Sequence, residues 1–304
     1  MLSSLRDGFR SLARNWGLVA LVLLANLAFA LVLAVPLAVQ LEGDLAHLEA
    51  SRGMMYGFDY DWWSAWSEKQ EGPSSALSPD ILGMGFVFPD PRKGLPTPSI
   101  LGLGALYLLL QVFLTGGLLG VFRSPQGGWT VRGFVHGSGF YFGRLFRVSL
   151  LALAAVGAVF ALNAPFARWV DRIAQEAVSE RTALALDIGR HALLVLVLVL
   201  VHMVASHAKV KVVREERLSA VLAFLSSLGF CARNLLAALG QYLVVGGLGL
   251  AVVFLFGALD ARLAVIGWKS QLVALVFFQA VVAARIALRL GLLASQLELQ
   301  ARRR

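Results

Sequence analysis

The stretch Gly17-Leu-Val-Ala-Leu-Val-Leu-Leu-Ala-Asn26-Leu-Ala-Phe-Ala-Leu-Val-Leu-Ala-Val-Pro36-Leu-Ala-Val39 runs without one charged side chain. A helix needs about 20 mostly apolar residues to cross the hydrocarbon of a bilayer. The apolar core of a secretory signal is shorter, about 7–15 residues, so this stretch reads as a retained spanning helix. Five more stretches have the same character, at about 100–122, 149–166, 190–206, 235–259 and 272–292. They are rich in Leu, Val, Ala and Gly and lack the two-residue alternation of membrane strands. The expected fold is all-α: a polytopic integral membrane bundle of six transmembrane helices, one membrane domain over residues 1–304.

Composition agrees. Of 304 residues, 58% are hydrophobic and 15% charged, and the mean hydropathy is +0.74. So little extramembrane chain excludes a full-sized soluble catalytic domain. The single cysteine, Cys231, excludes a disulfide framework and a cysteine-rich metal site.

The net charge of +9 acquires meaning once it is sorted by membrane side. The segments 1–16, 123–147, 207–233 and 284–304 carry 17 basic and 4 acidic residues, whereas 41–98, 167–191 and 258–270 carry 10 basic and 14 acidic. Lys and Arg stay on the cytoplasmic side because they resist translocation. Both termini are therefore expected in the cytoplasm, in the inner (plasma) membrane of a bacterium. The partners implied are the bilayer and its anionic headgroups on the cytoplasmic side, not nucleic acid. Trp16 and Trp129 fall at the inner face, and Trp62, Trp63, Trp66, Trp169 and Trp268 on the outer side, as interfacial aromatics do.

Three cytoplasmic segments look alike, each an amphipathic stretch, then an Arg, then a span. The first holds Leu5, Phe9, Leu12 and Trp16, the second Val131, Phe134, Val135 and Phe142, and the third Leu218, Val221, Leu222, Leu225 and Leu228. Ala13-Arg14-Asn15 recurs as Ala232-Arg233-Asn234, with Gly143-Arg144 between. Apolar residues three and four apart suit helices lying at the membrane interface. Residues 41–98 form the one substantial extracytoplasmic region, a Pro-rich cap with an aromatic cluster at Tyr56, Phe58, Tyr60, Trp62, Trp63 and Trp66. A short helix is expected near 59–70.

Polar groups inside lipid are expensive and therefore candidates for function. Asn26, Gln111, Gln241 and Gln279 fall within spans, with Thr115 beside them. They read either as hydrogen-bonding glue between helices or as a polar path. No Asp, Glu or Lys lies at a span centre, so the usual carriers of an ion relay are missing. Arg285 and Arg289 share one helix face near the inner end of the last span, placed to snorkel, to contact a lipid headgroup or to line a cavity. Gly116 and Gly120 form a small-residue motif, and Gly240, Gly246, Gly247 and Gly249 thin the fifth span, all read as sites of close backbone approach. Lys209, Lys211, Arg214 and Arg217, before an amphipathic helix, are candidate contacts for a cytoplasmic partner or for anionic lipid. His136 and His202 stand apart, and no zinc, nucleophile-elbow or phosphate-loop motif occurs. No catalytic residue, cofactor or metal is assigned.

Gly116-Gly117-Leu-Leu-Gly120-Val-Phe122, Phe140-Tyr-Phe142-Gly-Arg144-Leu-Phe-Arg147, the run from His207 to Arg217, and Ala283-Ala-Arg285-Ile-Ala-Leu-Arg289 fit one pattern. On these stretches the chain resembles a group of poorly characterised bacterial six-span proteins, those related to the membrane domain fused to glycerophosphodiester phosphodiesterases. The resemblance implies a six-span helical fold. It implies no catalytic residues, and the soluble phosphodiesterase domain has no counterpart here, so that activity is not implied. The function expected is a non-enzymatic membrane subunit or scaffold of a larger complex. The alternatives are a permease subunit for a lipid or small hydrophobic solute, docking an ATPase through 209–233, and a lipid-modifying enzyme using His202 or His136.

Overall fold

The computed structural model describes residues 1–45, 60–69, 98–123, 128–177, 179–260 and 268–303. All regular structure among them is helical: α1 (Leu2–Arg14), α2 (Gly17–Leu45), α3 (Tyr60–Lys69), α4 (Pro98–Arg123), α5 (Val131–Gln175), α6 (Glu180–Arg214), α7 (Ala220–Arg233), α8 (Leu235–Asp260) and α9 (Trp268–Arg302). Six of these, α2, α4, α5, α6, α8 and α9, are long and apolar enough to cross a membrane. The chain is thus an all-α protein with six candidate spans. Helix α3 falls where the aromatic spacing predicts one. Most of the cap, residues 46–59 and 70–97, with Tyr56 and Phe58, lies outside the described residues.

Three spans run well beyond the hydropathy windows, and the reason is packing. Helix α5 starts at Val131 because Thr130 caps it, its hydroxyl accepting from the Gly133 amide at 3.1 Å. Pro165 lies inside α5 without ending it. Helix α6 continues past its apolar window because Val210, Val212 and Val213 are fully buried. Helix α9 continues to Arg302 because Leu290, Ala294, Leu299 and the polar Ser295, Gln296 and Gln300 are 0–3% exposed. The stretch from Leu293 to Gln300 thus forms part of a core, whereas Arg302 is exposed.

The chain divides into two compact units. One comprises 17–111 and 249–287. Within it, Tyr107 and Gln111 of α4 donate to Asn26 of α2, Phe256 packs on Phe277 and Phe278, and the buried Trp66 donates to Asp44 at 2.8 Å.

The other unit comprises 1–16, 112–248 and 288–304. It holds α1, the start of α5 and α7, the three segments that look alike in sequence. Their breaks match: Asn15 has φ −119° and ψ 36°, Asn234 φ −124° and ψ 31°. Each Asn side chain donates back to a carbonyl four residues earlier, Ser11 and Phe230. The middle copy has no such Asn, and α5 runs straight through. Aligning the copies on Arg14, Arg144 and Arg233 aligns their buried faces as well. Ser4, Gly8 and Asn15 of α1 correspond to Phe134, Ser138 and Leu145 of α5 and to Ala223, Ser227 and Asn234 of α7, all but the half-buried Asn234 being buried. Two of these segments pack on a span through glycine. A Cβ on Gly116 would lie 3.1 Å from the Ser138 carbonyl, and one on Gly117 2.5 Å from Ser138 Oγ. A Cβ on Gly8 would lie 2.5 Å from the Ser295 amide nitrogen, and one on Gly291 2.5 Å from the Phe9 ring. The third, α7, packs on the end of α6 through Cys231 against Met203 and Val204.

The glycines of α8 behave differently from the expectation. A Cβ on Gly246, Gly247 or Gly249 would meet nothing within 4 Å among the described residues, and one on Gly240 would meet only the flexible end of Met1. Gly246, Gly247 and Gly249 face outward, so they bring no backbones together. Close approach occurs at Gly116, as expected, and also at Gly8, Gly117 and Gly291, but not at the outward-facing glycines of the fifth span.

Candidate functional site

The second unit is filled by polar side chains that hydropathy does not reveal. Gln241 of α8 is 0% exposed, and its amide donates to Ser4 Oγ and to the Ser295 carbonyl, both at 3.1 Å. Ser295 Oγ turns back to the Gly291 carbonyl at 2.6 Å. The next residue along α9, Gln296, accepts from Ser206 Oγ of α6 at 2.6 Å. One turn further, the Gln300 amide donates to both Nδ1 and the carbonyl of His207 at 3.0 Å. An amide nitrogen cannot accept, so Nδ1 is the acceptor and the His207 proton resides on Nε2. The His207 ring lies 5.4 Å from that of Phe230. Arg214 closes this end by donating to the Gln300 carbonyl, Arg302 pairs with Asp7, and Arg303 donates to Asn234 Oδ1.

This cluster draws on α1, α6, α8 and α9. The pairs among Ser4, Ser206, His207, Gln241, Ser295, Gln296 and Gln300 are hydrogen bonds between uncharged partners in a buried interior, where an unmet partner costs about 1–3 kcal/mol. Gln241 Oε1, Gln296 Nε2, Gln300 Oε1, His207 Nε2 and the nearby Ser227 Oγ are buried without a partner among the described residues.

The sequence candidates divide between the units. Asn26, Gln111, Gln279 and Arg285 belong to the first, Gln241 and Arg289 to the second. Asn26 Oδ1 accepts from Gln111 at 3.0 Å and from Tyr107 at 3.3 Å, the bonding expected of intramembrane glue. Gln279 is half-buried, and Arg285 and Arg289 point outward. Lys211 donates to the Ser226 carbonyl at 2.8 Å and lies over the Phe230 ring. Arg217 pairs with Glu215 at 2.5 Å, and Lys209 is half-buried. Three of the four residues read as partner contacts thus hold this chain together.

The histidines do not combine. His202 lies 3.2 Å from the Tyr242 hydroxyl. His136 stacks on Phe140 and lines a separate cavity of about 540 Å³ with Arg123, Thr130, Tyr141 and Glu216. There Arg123 donates to Glu216 Oε1 at 2.6 Å, to the Tyr141 hydroxyl at 2.8 Å and to the Val213 carbonyl at 3.0 Å. Glu216 adopts φ 51°, a left-handed conformation uncommon for a side-chain-bearing residue, and its carbonyl accepts from Arg144. Arg123 and Arg144 together hold that turn. Among the described residues no three metal-ligating side chains come together.

Sequence reasoning missed Ser206, His207, Ser295, Gln296 and Gln300. The available signal was the apolar series Leu290, Leu293, Leu297, which continues the helical stripe past the hydrophobic window. No protein family matches the chain, and neither a curated protein nor a solved structure matches it.

Proposed function

We propose that this chain is a non-enzymatic integral membrane subunit, a scaffold within a larger complex of a bacterial inner membrane, with both termini in the cytoplasm. One observation carries this reading: the filled centre of the unit built from 1–16, 112–248 and 288–304. The end of α9 occupies it with side chains 0–3% exposed, α1 seats on α9 through Gly8 and Gly291, and α5 seats on α4 through Gly116 and Gly117. Such interdigitated contacts suit a fixed frame. The charge asymmetry supports the orientation, 17 basic and 4 acidic residues against 10 and 14. The stretches that carry the resemblance to the six-span group include Gly116, Gly117 and Gly120, which here seat Gly137 and Ser138. Lys211, Arg214 and Arg217 are occupied within the chain, so the scaffold reading rests on no docking through them.

Affinity purification from native membranes in mild detergent tests the proposal. The expected result is co-elution with other membrane proteins in fixed ratio. A chain recovered alone, under conditions that preserve other complexes of that membrane, would refute it.

A further inference from the structure

Helix α7 is inverted relative to an ordinary surface helix. Its small residues face inward, with Ala223 and Ser227 0% exposed and Cys231 2%. Its large ones face outward: Leu218, just before the helix, Val221, Leu222, Leu225 and Leu228 are 51–70% exposed. The inward face is taken, by Met203 and Val204 of α6 and by Lys211 at the Ser226 carbonyl. No polar face remains to turn toward water.

The related segments sharpen the point. At positions equivalent by the common register, α1 presents Arg6, α5 presents His136 and α7 presents Leu225, all exposed. Similarly Arg10 corresponds to Phe140 and Gly229. Three segments share one inward pattern and differ on their outer side, and the third carries no outward charge before Arg233. From Leu218 to Ala232 there is no charged residue, and Arg217 and Arg233 bracket the run.

The occupant of this face is read from three features. Helix α7 has 14 residues, about 21 Å at 1.5 Å each, too short for the roughly 30 Å of hydrocarbon but suited to lying along it. It is separated by Asn234 alone from α8, whose first residues Leu235 and Leu236 are 43% and 88% exposed on a span that faces lipid. Arg233, exposed at its C-terminal end, is placed for an anionic headgroup beside the apolar strip. We propose that α7 is embedded in the bilayer leaflet on the side of both chain termini, its Leu218–Leu228 stripe in contact with acyl chains.

Nitroxide scanning tests this. In a C231A background, single cysteines L218C, L222C, L225C and L228C are spin-labelled and the protein is reconstituted in phosphatidylethanolamine–phosphatidylglycerol vesicles. L236C serves as the lipid-facing reference and R6C as the aqueous one. The expected result is collision with oxygen exceeding collision with a water-soluble nickel chelate several-fold at 222 and 225, as at 236, at about 5–10 Å depth. Preferential access of the nickel chelate, as at 6, would place the stripe in water and overturn the proposal. Exclusion of both reagents would show a protein covering it and overturn it equally. Four label sites on exposed positions keep the test intact if one variant fails to fold. The outcome is independent of whether the scaffold reading holds.

Discussion

Replacing Gly8 by Ala tests whether α1 is an integral part of its unit. A Cβ on Gly8 would lie 2.5 Å from the Ser295 backbone nitrogen and 2.6 Å from Ser295 Cα. Ordinary contact begins near 3.4 Å, so α1 must withdraw by about 1 Å, since packed interiors do not compress. Overpacking of this kind costs about 1–3 kcal/mol. Withdrawal also breaks the hydrogen bond from Gln241 to Ser4 of α1, at about 0.6 kcal/mol in a membrane protein. The sum is a loss of about 2–4 kcal/mol. Unfolding by SDS titration in mixed micelles measures it, with Gly139→Ala as reference. Gly139 faces open space among the described residues, and Ala there is expected to be neutral or to stabilise by up to about 1 kcal/mol. Adding Ser295→Gly removes the hydroxyl but not the backbone, so it is expected not to rescue Gly8→Ala. If Gly8→Ala unfolds within about 0.5 kcal/mol of the parent, or if Ser295→Gly restores it, the close backbone seat is not what holds α1.

Three other outcomes follow from the same geometry. Gln241→Leu removes both amide bonds, to Ser4 and to Ser295, and is expected to destabilise by about 1 kcal/mol in the same titration; an unchanged midpoint would show that these bonds contribute nothing. Asn26→Leu removes the acceptor shared by Gln111 and Tyr107 and is expected to lower the thermal midpoint in detergent by a few degrees, corresponding to about 1 kcal/mol; a midpoint at or above the parent's contradicts that role. Burial pushes the Cys231 thiol from its ordinary value up to about 11, so the nucleophilic thiolate is scarce at neutral pH and increases only as pH rises toward that value. Maleimide should therefore modify Cys231 slowly at pH 7.5 in intact membranes and rapidly after SDS unfolding, and equal rates would refute its burial.

The number of spans was legible because lipid imposes a simple test, a run of about 20 residues with little charge. Their true lengths were not. Ser295, Gln296 and Gln300 have the composition of a solvated tail, yet α9 carries them through the interior, where Gln241, Ser206 and His207 meet them. Pairing of that kind joins residues some 50 to 90 positions apart, which no local pattern encodes. The glycines show the same limit. Gly116 and Gly246 look equivalent in the sequence, but only Gly116 has a backbone against it, because whether a helix face meets a neighbour depends on which other helix arrives there. The likeness of the first and third segments was legible in three letters, Ala-Arg-Asn, and Asn15 and Asn234 supply the same helix-break conformation.

The sequence by itself determined that this chain is helical and built to cross a membrane six times, since backbone satisfaction in hydrocarbon leaves a continuous apolar helix little alternative. The tertiary structure decided which of the polar and small residues form an interior and which face outward. That decision is a matter of contact between distant segments: Gly8 is a seat because Ser295 is there, and Leu225 is an outer residue because Ala223 and Ser227 took the inner side.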